Sequence, residues 1–158
     1  MRELRGANEA DLEVLLAIQE ACAGAPDWSA AVWQEILRHQ EIGRTAFVAQ
    51  VEDRVAGFVV VGEVAGTAEL ESIAVLPCDR GRSLGRSLCQ RGVEWARTLG
   101  AETMLLEVRV SNKGAIRLYK TLGFVEQGRR TRYYSRPEED AVMMSLSLRP
   151  TSPSRAAV

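Results

Sequence analysis

The chain has 158 residues, 46% of them hydrophobic and 26% charged, with a formal net charge of −1. That length fits one domain with a proper core, and the balance is that of a soluble globular protein. The near-zero charge argues against a general nucleic-acid binder, which needs a basic surplus. Three cysteines, Cys22, Cys78 and Cys89, lack metal-type spacing, and His39 is the single histidine. A zinc site or a His-dependent triad is therefore not expected, and no metal is assigned.

The opening "MRELRGANEADLEVLL" has acidic residues where a signal peptide would have an apolar core. No apolar run approaches membrane length, so the expectation is a cytoplasmic protein without a membrane partner. "RELRGA" reads as a short strand. Asn8 can cap the next helix, in which Leu12, Leu15, Leu16 and Gln19 recur at helical spacing. "GAPDW" breaks the chain, and Ser29 caps a second helix carrying Val32, Trp33, Ile36 and Leu37. "TAFVAQV" and "VAGFVVVGE" form a hairpin about the polar turn Glu52-Asp53-Arg54, and "ELESIAVLP" is a strand stopped by Pro77.

A long helix is expected from Ser83 to Leu99, with Leu88, Gly92, Trp95, Ala96 and Leu99 as its apolar stripe and Gly100 at its stop. "TMLLEVRV" is strand-like. A helix from Asn112 to Leu122 follows, with Ala115, Leu118, Tyr119 and Leu122 on one face, and Gly123 ends it. "FVEQGRRTRYY" and "AVMMSLSL" are two closing strands. The order β-α-α-β-β-β-α-β-α-β-β describes one mixed α/β domain over 1–149, with 150–158 as a frayed Pro/Ser/Arg-rich tail.

"PCDRGRSLGRSL", Pro77 to Leu88, puts two glycines and three arginines where a strand gives way to a helix. Free N–H groups and the positive end of a helix dipole suit a phosphate. The stretch is neither a P-loop, lacking the Lys-Ser/Thr pair, nor a dinucleotide fingerprint, lacking G-x-G-x-x-G. By itself it is either a solvated basic turn or a seat for a phosphorylated ligand.

"SIAVLPCDRGRSLGRSLCQRGVEWA", "LEVRVSNKGAIRLYKTLGF" and "RYY" resemble the GNAT superfamily of acetyl-CoA-dependent N-acetyltransferases. Within it they are most similar to the bacterial ribosomal-protein-alanine N-acetyltransferases (RimI-type). The resemblance implies a GNAT fold: a mixed central sheet flanked by helices and splayed where acetyl-CoA enters. It implies that backbone groups of Ile73, Ala74 and Val75 pair with the pantetheine arm, and that N–H groups of Gly81, Arg82, Ser83, Leu84, Gly85 and Arg86 hold the pyrophosphate. Asn112 matches a cofactor contact. One position departs: Ser83 stands in the place of the motif's first glycine, keeping its N–H and adding a hydroxyl donor.

Acetyl transfer to an amine needs a neutral nucleophile, a polarised carbonyl and a proton for the departing thiolate. Period two puts Glu107 on one strand face with Leu105 and Arg109. It is either a base or a surface glutamate paired with Arg109 or Lys113; the resemblance implies a base acting through water. Tyr119 follows Asn112 by seven residues, two helical turns. It is either a core tyrosine or, as the resemblance implies, the proton donor to the thiolate. Glu69 and Glu71 are rival bases or a solvated strand edge. The resemblance implies that Trp28, in a "WS" at the second helix, and Tyr133 and Tyr134 lie on the substrate side; the two tyrosines are otherwise a plain aromatic strand.

A terminal α-amine with a pKa of about 8 is roughly a tenth neutral at pH 7, a lysine less than about one part in a thousand. That favours a protein or peptide N-terminus as acceptor, and the resemblance suggests a ribosomal protein. Acetylation of a small amine or lysine, and a cofactor-sensing module without turnover, stay open as alternatives.

Overall fold

A computed structural model describes residues 1–38, 43–135 and 137–150. His39 and positions 151–158 of the expected tail lie outside the described residues. Strand β1 (Arg2–Gly6) leads through a 3₁₀ turn, Glu9–Asp11, into α1 (Leu12–Ala21). Asn8 and Asp11 close a reciprocal capping box at that turn. Helix α2 (Ala30–Arg38) opens with the Ser29 hydroxyl accepting the Val32 N–H at 3.3 Å. Strands β2 (Arg44–Val51), β3 (Arg54–Val64) and β4 (Thr67–Val75) follow, then α3 (Leu84–Thr98). Strand β5 (Thr103–Arg109), helix α4 (Lys113–Thr121), β6 (Val125–Tyr134) and β7 (Glu139–Ser147) complete the chain. The expected element order holds throughout.

The seven strands lie in the order β1-β2-β3-β4-β5-β7-β6. Every pairing is antiparallel except β4 with β5, which run parallel. Helices α3 and α4 cover one face: Leu84, Leu88, Cys89, Ile116 and Tyr119 pack with Val59, Leu106 and Val108. Helices α1 and α2 cover the other, where Leu15, Ile18, Trp33 and Ile36 pack on Phe58 and Val60. Gly92 lets α3 sit close to the sheet, since a Cβ there would stand 2.7 Å from Val61 Cγ2. The expected stripe of α3 needs one correction. Leu99 is the C-cap beyond the last residue of α3 and is 47% exposed, while Leu84, Cys89 and Val93 are buried instead.

Two irregularities shape the site. The β3–β4 register slips between Val61↔Leu70 and Val60↔Ser72, leaving Glu71 as an extra residue. The bulge switches faces, so Leu70 and Ile73 both point toward α3, whereas Ala74 packs on the α1–α2 side. The second is the parallel pairing, which joins Thr67↔Thr103, Ala68↔Met104 and Glu69↔Leu105 and then stops. Beyond Glu69 the two strands part, which is the splay expected of the fold.

Candidate active site

The splay opens into a cleft of about 1050 Å³ between β4, β5 and the N-terminal ends of α3 and α4. Ile73, Ala74 and Val75 form one wall, and their backbone has β3 on one side only. Gly81, Ser83, Leu84, Gly85 and Arg86 line the far end, with Asn112 and Tyr119 across from them. Arg82, expected among them, is outside the lining: its carbonyl accepts from Arg2 Nη1 and its guanidinium turns to Asp79.

Backbone geometry explains the turn. After the 3₁₀ turn Pro77–Asp79, Gly81 takes φ +77° and Ser83 φ +63°, both left-handed. Alternation of right- and left-handed residues turns successive N–H groups toward one concavity. The first bond of α3 runs from Ser87 N–H to Ser83 O at 3.1 Å. Among the described residues no loop hydrogen bond is made by the backbone N–H groups of Gly81 to Arg86. Arg80 Nε bonds Val75 O at 3.2 Å, and Arg86 reaches Thr121 Oγ1 at 3.4 Å, so two cations border the same concavity. These features fit a diphosphate ester at one end and an extended amide-bearing arm along β4.

Asn112 is the N-cap of α4 rather than its first residue. Its Oδ1 accepts the Ala115 N–H at 3.2 Å, so its NH₂ is the group open to a ligand. Tyr119 is 4% exposed, lines the cleft, and packs edge-to-face on Phe124 at 5.7 Å. Burial first, then Cys89 and Tyr134, hold its phenol well above the usual tyrosine range.

Glu107 lies on the opposite face of β5. Leu106 and Val108 point into the core beneath α4, so Glu107 points to the α1–α2 side, where its side chain is 18% exposed. It pairs with Arg130 at 3.1 Å, not with Arg109 or Lys113. Arg109 instead engages Glu139 at 3.3 Å and stacks over Tyr134 at 4.4 Å. Tyr133 lies against Glu107, and its pKa is raised by their hydrogen bond first and by burial second. Tyr134 meets Tyr133 edge-on at 5.0 Å, and burial pushes its pKa up to about 12.

The rival acids separate. Glu71 is claimed by Arg44 at 2.7 Å, and Arg44 in turn lies 5.3 Å from the Trp28 ring centre. Glu69 reaches solvent, yet partial burial and then Glu71 and Glu107 shift its carboxyl upward. Trp28 packs edge-on to Trp33 at 5.3 Å and borders a second hollow with Pro26 and Asp27. Period-two reading placed the acids but could not find Arg44 and Arg130, their distant partners. Asp79 also lines the cleft without any spacing rule pointing to it; an acid inside so basic a turn is the signal that could find it.

Residues 12–124 match the family model "Acetyltransferase (GNAT) family". The chain belongs to the GNAT acetyltransferase family. A [ribosomal protein bS18]-alanine N-acetyltransferase of Salmonella typhimurium is 41% identical over 99 residues, 61% of this chain and 67% of that protein. The Escherichia coli enzyme of the same name is 38% identical over 97 residues, 60% of this chain and 66% of its own. Each alignment thus spans about two thirds of the relative's length. The crystal structure of the Escherichia coli ribosomal-protein-alanine enzyme superposes with a TM-score of 0.84 at 29% identity, covering 98% of both chains. A Salmonella typhimurium protein solved with its cofactor acetyl-CoA gives 0.82 at 25%, covering 99% of each. This GNAT protein is an N-acetyltransferase that uses acetyl-CoA. Among the described residues no group of His, Cys, Asp and Glu could hold a metal ion, and no helix is long and apolar enough to cross a membrane.

Proposed function

We propose that this GNAT enzyme acetylates the N-terminal α-amine of a protein, a ribosomal protein foremost, in the cytoplasm and by direct transfer. The names of the relatives support that acceptor. The observation that carries the mechanism is the position of Glu107 and Tyr119 on opposite sides of β5, beside the gap where β4 leaves it. Acetyl-CoA supplies the activated acetyl group as a thioester. The backbone of Ile73, Ala74 and Val75 receives its arm, the N–H groups around Ser83 hold its phosphates, and Asn112 donates to it.

The acceptor approaches from the α1–α2 side, between Trp28, Tyr133 and Tyr134. Glu107 takes the amine proton through a water as the nitrogen bonds to the acetyl carbon. The carbon–sulfur bond breaks at that same acetyl carbon in the gap beside β5, where Tyr119, kept protonated by burial, would give its proton to the sulfur. The amine's proton ends on Glu107 and no acyl-enzyme forms. Incubation with acetyl-CoA and a peptide panel, followed by mass mapping, tests the acceptor. The expected product carries one acetyl group on the α-amine. Acetyl-lysine on a peptide with a blocked N-terminus would overturn the assignment.

A further inference from the structure

The turn assigned to the phosphates contains a carboxylate. Asp79 has no solvent exposure, lines the cleft, and ends the 3₁₀ turn that feeds Gly81 and Ser83. A buried anion beside a polyanion's seat should weaken binding unless its charge is answered. It is answered by Arg54, at the start of β3, which grips both carboxylate oxygens at 2.6 Å each in a two-pronged pair. Arg82 Nη1 adds a second cation 3.8 Å from Oδ1. The Cys78 thiol bonds Oδ2 at 3.4 Å, and the Asp79 N–H bonds Leu76 O at 2.9 Å. Two guanidinium groups facing one carboxylate leave the cluster net positive, so the carboxylate costs the seat no charge.

Its position gives it a use. Ser83 occupies a left-handed conformation that resists a residue with a Cβ. A turn with that strain relaxes unless it is held from outside. The holds are the Asp79–Arg54 pair to β3 and the Arg82 carbonyl on Arg2 of β1. We infer that Asp79 is a positioning residue: through Arg54 it locks the turn onto β3, aiming the N–H groups of Gly81 to Arg86 into the cleft before acetyl-CoA arrives. A seat ordered in advance spends less of its contact energy on ordering the loop. The inference rests on the reading of this turn as the phosphate seat.

Acetyl-pantetheine, a donor with the same thioester and no phosphate, provides the test. Wild type is expected to use acetyl-CoA far better than acetyl-pantetheine. Asp79→Asn keeps the side-chain size and removes a charged, two-pronged bond, so kcat/KM for acetyl-CoA should fall about tenfold or more, through KM. Its kcat at saturation and its use of acetyl-pantetheine should stay within about twofold. Arg54→Gln, at a side chain 52% exposed, should repeat the pattern without opening a cavity. Arg54→Lys should fall between, keeping the charge but losing the fork. Equal losses with both donors would make Asp79 an ordinary fold contact, and no loss in either variant would also overturn the inference. A wild type indifferent to the phosphates would instead refute the seat itself.

Discussion

The cofactor side and the acceptor side of β5 are built from different materials. On the proposed cofactor side the candidate binding groups are main chain: the edge of β4 that β5 leaves and the N–H groups around Ser83. On the proposed acceptor side the candidates are side chains: Glu69, Glu71 and Glu107 interleaved with Arg44 and Arg130 and bordered by Trp28 and Tyr133. Main-chain donors are indifferent to most substitutions, so that side tolerates Ser83 in a glycine's place. A side-chain lattice changes whenever one member changes. The same fold can therefore keep one donor while its acceptor varies.

The strongest way to break this contrast is to remove the proton carriers on either side of β5. Glu107→Gln and Tyr119→Phe should each lower kcat by about 10² or more while acetyl-CoA affinity holds. Steady-state kinetics with calorimetric titration would check both. Near wild-type turnover would shift the base to Glu69.

Next comes charge at the seat. Ser83→Asp places a carboxylate against the phosphates and should weaken acetyl-CoA binding about a hundredfold, the scale of a close like-charge pair. Ser83→Gly supplies the residue that the φ of +63° prefers. It should change affinity by less than about tenfold and raise stability by up to about 1 kcal/mol. Calorimetry and denaturant melts separate the two variants, and the contrast fails if both weaken binding alike.

Acid exposes the ion pair that holds the turn. The Arg54 bond keeps the Asp79 carboxyl down at about 2, against an ordinary value of 3.8. A lowered carboxyl stabilises the folded chain where it is ionised in both states, above about pH 4, and that contribution is lost as pH falls toward 2. The acid-unfolding curve of Asp79→Asn should therefore be shallower than wild type across that window. The smallest effect belongs to Glu69, whose carboxyl is raised chiefly by burial and then by its acidic neighbours. Glu69→Gln should raise stability at neutral pH by no more than about 0.5 kcal/mol, since solvent screens the site. Any larger gain in a thermal melt would mean the acceptor lattice is under more electrostatic stress than its pairing indicates.

The same division governs what could be read from residues alone. Periodicity and turn chemistry located the eleven α-helices and strands of the described residues, because each needs only local spacing. The glycine turn and Asn112-to-Tyr119 were legible for the same reason. Pairings across the sheet were not. Arg44 with Glu71 depends on a bulge that no local pattern announces, and Glu107 with Arg130 depends on β7 inserting between β5 and β6. Arg54 with Asp79 joins two turns 25 residues apart. The left-handed Ser83 was hidden as well, since a serine carries no conformational signature.

Three residue pairs join β4 to β5, and with the Glu102 N–H bond to Gly66 O at 2.8 Å they form a short seam between a four-stranded and a three-stranded half of the sheet. Across so narrow a seam the halves are joined mainly by the side chains that pack beneath α3 and α4. In the proposed binding mode a cofactor lying along β4 would act as an added strand and extend the seam. Amide hydrogen exchange should then slow most at Ile73 to Val75, next along β5, and hardly at all in β1 and β2. In mechanical terms the proposed substrate is a rivet across a short weld.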